Sequence, residues 1–324
     1  GAYKGAEEIP EVDELRIELG PKGRFKFPAP NSHEMPLSSV SIEGQYLVKT
    51  YRLKITRLDA ELQGPTVSLS LVADGVPGFR DTGAQPKISV DVKGSLRDVP
   101  VDQLARYWPA AWGSDAHRWI TPHLSDGTLH QARAEIRLWS GKKDSFELVS
   151  LDGDMEVNGV SVDYLPPMPP VRNTEAYMKF DEKRLDIFIS KGDSEGLSVN
   201  EGTVFLTDLD KVDQYADIEL EIDGTFENQL AYLDHEPLGY SSIIGIDPKT
   251  TKGQAETRLK LNFIVEKALT LDQIEISATS KVLGLSAAKV VLGRDIDGGQ
   301  LDIRVNKKGM DIAGSVNFGR IPTT

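Results

Sequence analysis

The stretch Arg258-Leu259-Lys260-Leu261-Asn262-Phe263-Ile264-Val265 decides how this chain folds. Leu259, Leu261, Phe263 and Val265 fall on every second position, with Arg258, Lys260 and Asn262 between them. Successive side chains of a strand point to opposite faces of its sheet, so a period of two writes one apolar and one wet face. The same period recurs along the chain. Val67, Leu69 and Leu71 alternate with Thr66, Ser68 and Ser70, and Ile218, Leu220 and Ile222 alternate with Asp217, Glu219 and Glu221. Ile88 and Val90, Ile136 and Leu138, Ile187 and Ile189, and Leu301 and Ile303 repeat the pattern. One-sided patterning of this kind belongs to antiparallel sheets, because parallel strands are buried on both faces and read as continuous apolar runs. These eighteen apolar residues are the candidates for whatever the apolar face holds.

Working outward, the strands are separated by turn signals at Gly64-Pro65, Asp74-Gly75, Glu182-Lys183, Asp193 to Gly196 and Asp297-Gly298-Gly299. Pro166-Pro167-Met168-Pro169-Pro170 lacks the backbone donors of a central strand and reads as an extended crossing or edge segment. Helical pieces are few. Val101 to Trp112 follows Pro100, carries Asp102 in its first turn and places Leu104, Tyr107 and Trp108 on one face. Ser114 to Leu124 reads as a second short helix with Ala116, Trp119 and Ile120 together, and Phe226 to Leu233 as a third.

The helical pieces mark a repeat. Gln103-Leu104-Ala105 and Gln229-Leu230-Ala231 are 126 residues apart, as are Gly127, before Ala134-Glu135-Ile136-Arg137-Leu138, and Gly253, before Ala255-Glu256-Thr257-Arg258-Leu259. Lys87 to Val92 resembles Asp217 to Ile222, and Leu185-Asp186-Ile187 resembles Leu301-Asp302-Ile303 at a shorter offset. Repeats of this length mean stacked supersecondary units. The expected division is a partial first unit over 1–98, a second over 99–225 and a third over 226–324, each of about five strands with a helical connection.

Composition narrows the partners. The 324 residues are 39% hydrophobic and 27% charged, with a formal net charge of -13 and no cysteine. The acidic balance argues against nucleic acid and against a polybasic grip on anionic headgroups. Thiolate metal sites, disulfides and cysteine nucleophiles are excluded. No apolar run reaches the ~18 residues of a membrane-spanning helix. The start, Gly1 to Glu8, lacks the apolar core of a signal peptide and reads as an internal boundary of a longer chain.

Chemistry-bearing residues are scattered. His117, His123 and His130 lie close in sequence but lack the spacing of a helical zinc pair, and read as surface or packing residues. Asp208, Asp210 and Asp213 lack the glycine and terminal glutamate of a calcium loop. Asp295 and Asp297 before Gly298-Gly299 read as a hairpin turn. Ser241-Ser242 has no nucleophile-elbow frame, and no phosphate-cradling glycine loop occurs. No enzyme, metal site or cofactor is expected. Trp108, Trp112 and Trp119 read either as a helix packed over a sheet end or as a gate or lid over the apolar face.

Several stretches together resemble one family. Tyr107-Trp108-Pro109, Ala116-His117-Arg118-Trp119, Leu124 and Asp126-Gly127 are similar to the signature of large AsmA-like envelope proteins of the YhdP type. So are Val160 to Pro166 with Pro169-Pro170-Val171, then Pro237-Leu238-Gly239-Tyr240 and Gly245-Ile246-Asp247-Pro248. The resemblance covers roughly Leu37 to the end and rests mostly on turn and packing residues. It implies a mainly β fold, an elongated curled antiparallel sheet (a repeating β-groove) with short helical connections. It further implies a periplasmic segment of a bridge-like phospholipid-transport protein whose inner-membrane anchor lies outside this chain. The implied partners are phospholipid acyl chains, the remainder of the same envelope protein at both ends, and outer-membrane components.

Two readings of the apolar face stay open. Periodicity alone favours a dry sandwich or barrel in which apolar faces pack together. The resemblance favours an open trough that meets acyl chains. A non-transporting periplasmic scaffold or chaperone for outer-membrane proteins, using open sheet edges, is the competing function.

Overall fold

In the computed structural model the described residues are 12–19, 23–26, 34–77, 87–108, 114–140, 146–239, 247–265, 269–291, 294–318 and 321–324. Strands dominate. The first group is β1 (Val12–Leu19), β2 (Gly23–Lys26), β3 (Glu34–Leu37), β4 (Ser39–Leu47), β5 (Arg52–Glu61), β6 (Thr66–Asp74) and β7 (Ser89–Pro100). Two short helices follow, α1 (Leu104–Tyr107) and α2 (Ser114–His123). Then come β8 (Leu124–Ser125), β9 (Thr128–Ser140), β10 (Phe146–Val162), β11 (Val171–Asp181), β12 (Leu185–Ser194), β13 (Leu197–Thr207) and β14 (Tyr215–Thr225). After α3 (Phe226–Leu233) the chain ends in β15 (Thr251–Ile264), β16 (Glu275–Val291), β17 (Arg294–Asn306), β18 (Gly309–Phe318) and β19 (Ile321–Thr323). Seventeen of these strands belong to one open antiparallel sheet, and β2 with β3 forms a separate hairpin. The mainly β, antiparallel fold with short helical connections is therefore the architecture of this chain.

The chain divides into two compact units, one of 1–117, 129–155 and 180–182, the other of 118–128, 156–179 and 183–324. In the first, β4 pairs with β1 and β5, and β6 with β5 and β7. The registers line up Ile42, Leu58, Leu69 and Gly94 in one cross-strand row and Val40, Ala60, Val67 and Leu96 in the next. Ile55 and Ala73 are buried there, and Tyr107 of α1 is buried with its hydroxyl donating to the Leu62 carbonyl at 3.2 Å.

In the second unit β12 to β18 pair in sequence order. Its core lies under α3, where Ala255, Val282 and Leu285 are buried against Phe226, Ile296, Leu301 and Ile303. The Thr225 hydroxyl caps α3 by accepting from the Asn228 N–H at 3.1 Å, and Leu230 is buried.

The repeat matches occupy like places, with one exception. Lys87 to Val92 leads into β7, before α1, and Asp217 to Ile222 lies in β14, before α3, while Ala134 to Leu138 lies in β9 and Ala255 to Leu259 in β15, the long strands after the helices. Leu185 to Ile187 lies in the third strand after β9, but Leu301 to Ile303 in the second after β15, so the shorter-offset match is a shared strand pattern and not an equivalent position.

Three local expectations are corrected. Val101 to Trp112 is not one helix. A 3-10 turn at Val101–Gln103 leads into α1, which stops because Trp108 is extended. Pro109 follows, and a residue before proline is pushed out of helical conformation; Trp112 lies outside the described residues. Asp297-Gly298-Gly299 is no hairpin turn but lies inside β17, where its registers with β16 and β18 shift. Gly298 takes the left-handed conformation, and a Cβ on Gly299 would meet the Leu285 side chain at 2.8 Å, which is what a bulge packed against a neighbouring strand requires. The stretch Pro166 to Pro170 is neither a crossing nor an edge but the turn joining β10 and β11, closed by the Met168 N–H on the Leu165 carbonyl at 2.8 Å.

Candidate functional site

Register converts the alternating residues into rows across the sheet. In the second unit one row runs Ile187, Val204, Ile218, Leu261, Ile276 and the next Ile189, Gly202, Leu220, Leu259, Ala278, Val305, Met310. On one flank Leu185, Leu206, Ala216 and Phe263 continue the apolar surface. On the other, the row Val199, Ile222, Thr257, Ser280, Ile303, Ile312 carries two hydroxyls at its centre. Beyond it lies the row Leu197, Gly224, Ala255, Val282, Leu301 and Gly314, where Phe226 of α3 packs against the cluster of Ala255, Val282 and Leu285.

Ten of the sequence candidates lie on these rows. Ile187, Ile189, Ile218, Leu220, Ile222, Leu259, Leu261, Phe263, Leu301 and Ile303 share one face of the second unit, each partly exposed. Val265 lies one residue past the end of β15 and is exposed. In the first unit Val67, Leu69, Leu71 and Val90 line up in register with one another's neighbours on β6 and β7, and Ile136 and Leu138 alternate with charged residues on β9. Ile88 sits just before β7, its N–H donating to the Ser140 hydroxyl at 2.8 Å. All of these are partly exposed as well. The rows remain uncovered at the β17–β18 end, where Met310 is 49% and Ile312 53% exposed.

The opposite face is charged. Lys260 reaches Glu219 at 2.9 Å, and Arg258 bonds Glu221 across β14 and β15; the hydrogen bond to Glu221 raises the Arg258 pKa. In the first unit Lys93 meets Glu135 at 2.7 Å and Arg137 meets Asp91 at 2.7 Å, which raises Arg137 in the same way. Exposed pairs of this kind add little stability but favour one register over a slipped one. Two depressions lie on this face. One of about 460 Å³ is lined mainly by residues such as Glu221, Asp223, Arg258, Lys281 and Arg304. The other, about 660 Å³, is lined by Arg57, Ser68, Lys93, Glu135 and Asp154 among others. Within these linings Arg258 pairs with Glu221, Lys93 with Glu135 and Arg133 with Asp154.

Among the described residues no group of three or more His, Asp or Glu side chains converges as a metal site. His117 meets the Trp108 ring edge-on at 5.3 Å, His123 stacks on Trp119 at 5.0 Å, and His130 lies 3.4 Å from Asp98. Trp119 is 47% exposed and Ala116 is exposed, so the expected packed stripe of α2 does not form among the described residues. Ser241-Ser242 lies outside the described residues.

Sequence reasoning missed the residues that bound the rows: Gln229, Thr257, Ser280 and the buried Val282 and Leu285. Thr257 did carry a signal. It is a polar residue at a position where the alternation calls for an apolar one.

A family model described as YhdP protein matches residues 7–271. The chain belongs to the YhdP protein family. No curated protein and no solved structure matches it. The YhdP family is not a known enzyme family. No helix among the described residues of this YhdP-family chain is long and apolar enough to cross a membrane.

Around α3 the chain also holds a tyrosine pair. The Tyr164 and Tyr232 hydroxyls are 2.6 Å apart, and Tyr232 donates to the Pro169 carbonyl at 3.4 Å. Burial, then the hydrogen bond to Tyr232, pushes the Tyr164 phenol well above the ordinary tyrosine range. A raised folded-state pKa stabilises fully below the unfolded value, about 10, and loses that contribution as pH climbs beyond it. Alkaline titration of phenolate absorbance is expected to show one tyrosine ionising after the rest, and Tyr164→Phe to remove that late step. A titration curve unchanged by Tyr164→Phe would contradict the assignment.

Proposed function

We propose that this chain is a periplasmic segment of a bridge-like phospholipid-transport protein, and that its apolar rows shield acyl chains between inner and outer membranes. One observation carries the reading. The rows through Leu261 and Leu259 are apolar from strand to strand, yet their large side chains stay partly exposed. A dry sandwich would bury those side chains, and a solvated sheet would not place aliphatic residues there. Seven strands at ~4.8 Å spacing give a row of about 29 Å. That exceeds the ~15 Å of one bilayer leaflet's hydrocarbon, so a single acyl chain fits along it. The occupant suits the surface: each buried CH₂ contributes ~0.8 kcal/mol, and a flexible chain can follow an aliphatic row without directional contacts. Catalysis has no part in this reading.

Native mass spectrometry of the chain purified from envelope fractions is the direct test. Phospholipid is expected to remain bound through gentle desolvation. Recovery of apoprotein alone from lipid-rich preparations would sink the proposal.

A second reading, a non-transporting scaffold or chaperone for outer-membrane proteins, has one observation in its favour. Along β18 the register with β19 covers only Val316 to Phe318, which leaves the Gly309–Ser315 edge without a strand partner among the described residues. Strand addition there would recruit unfolded barrel proteins. Co-purification of such chains in place of lipid would favour it.

A further inference from the structure

The apolar surface of the second unit is not uniform, and the change occurs at three polar side chains. Gln229 projects from α3 onto the sheet, where its Nε2 donates to the Ala255 carbonyl at 3.1 Å and its Oε1 accepts from the Thr257 hydroxyl at 2.8 Å. The Thr257 and Ser280 hydroxyls are themselves 2.8 Å apart. These groups occupy the row between the open aliphatic rows and the row beneath α3. On the α3 side Ala255, Val282 and Leu285 are buried; on the other side Leu259 and Leu261 are partly exposed.

The helix is also tied down from outside the sheet face. Asn228 Nδ2 donates to the Gly196 carbonyl at 3.2 Å, and just past the helix His235 Nε2 lies 2.7 Å from a Glu195 carboxylate oxygen. Both contacts are to the turn between β12 and β13. An acyl chain could enter the covered row only by lifting α3 and stripping hydrogen bonds from Gln229, Thr257 and Ser280, groups it cannot satisfy.

We infer that the Gln229–Thr257–Ser280 hydrogen-bond chain, with α3 behind it, is the boundary of the acyl-binding face. A bound tail then lies across the strands over Leu220, Leu259 and Ala278, and stops short of Ala255 and Val282. This rests on the acyl-chain reading above and adds the tail's direction and limit.

The test is photocrosslinking of the full chain with a diazirine-bearing palmitic acid analogue, with adducts mapped by peptide mass spectrometry. Adducts are expected on Leu220, Leu259 and Ala278, about tenfold more often than on Ala255 and Val282, the ratio set by leaving one buried polar group unsatisfied. Gln229→Ala, or Thr257→Val should the first variant fold poorly, is expected to extend adducts to Ala255 and Val282. Equal labelling of Val282 and Leu259 in the native chain overturns the boundary. An unchanged map in both variants overturns the role of the hydrogen-bond chain. Absence of adducts anywhere on the sheet overturns the acyl-chain reading itself and so is distinguishable from failure of the boundary.

Discussion

Leu261→Asp is expected to abolish lipid recovery while the second unit stays folded. Leu261 sits between Ile218 and Ile276 in the middle of an apolar row, on a face that remains partly exposed. A carboxylate there can reach water in the lipid-free protein, so the fold loses only part of a leucine's burial, about 1–2 kcal/mol. For a unit of this size that lowers the melting temperature by roughly 2–8 °C. Against an acyl chain the same carboxylate must be desolvated without a partner, a cost of several kcal/mol that the chain's methylenes do not offset. Ile187→Asp, in the same row, is expected to behave alike. Native mass spectrometry reads the lipid and a thermal melt reads the fold. If Leu261→Asp unfolds the unit, the face is a dry core and the conduit reading fails.

Val282→Asp is expected to give the opposite result, loss of the folded unit. Val282 is 0% exposed and packs with Ala255 and Leu285 under α3. The hydrophobic side chains packed against that cluster are Phe226, Ile296, Leu301 and Ile303. A carboxyl group forced into that site ionises unpaired or stays protonated with unsatisfied oxygens. Either outcome costs several kcal/mol, in addition to the packing that the valine methyls supplied. Total stabilities of about 5–15 kcal/mol leave little after such a loss. A urea titration followed by far-UV circular dichroism should show the unfolding midpoint of the second unit collapse. A midpoint near the parent's would mean that α3 does not close over this row. Both substitutions bring an aspartate to the same face of the same sheet, so the contrast between them isolates covering by α3 as the variable.

Much of the fold is legible in the sequence because strand geometry acts locally. Alternation at Leu259, Leu261 and Phe263 requires only that neighbouring side chains point opposite ways, which every extended backbone obeys. The helix at Phe226–Leu233 is legible for a similar reason, since its cap and apolar spacing lie within one short segment. Local reasoning fails where a neighbour decides. Gly298-Gly299 has the composition of a turn, but Leu285 on the adjacent strand needs the space, and the pair becomes a bulge inside β17. At the first helix two local signals conflict. The apolar stripe through Trp108 argues for continuing, Pro109 argues for stopping, and the backbone obeys the proline.

By itself, then, the sequence determined that this chain is an antiparallel, one-sided sheet with short helical connections, and that its signature residues are those of the YhdP family. Only the tertiary structure decided which part of the apolar face is core and which is open. Val282 and Leu261 share the alternating pattern of two paired strands, but Val282 is buried in a cluster that includes Phe226 of α3, while Leu261 stays partly exposed. Covering is a contact between segments distant in sequence, and period-two patterning records which face a side chain takes but not what comes to rest on it.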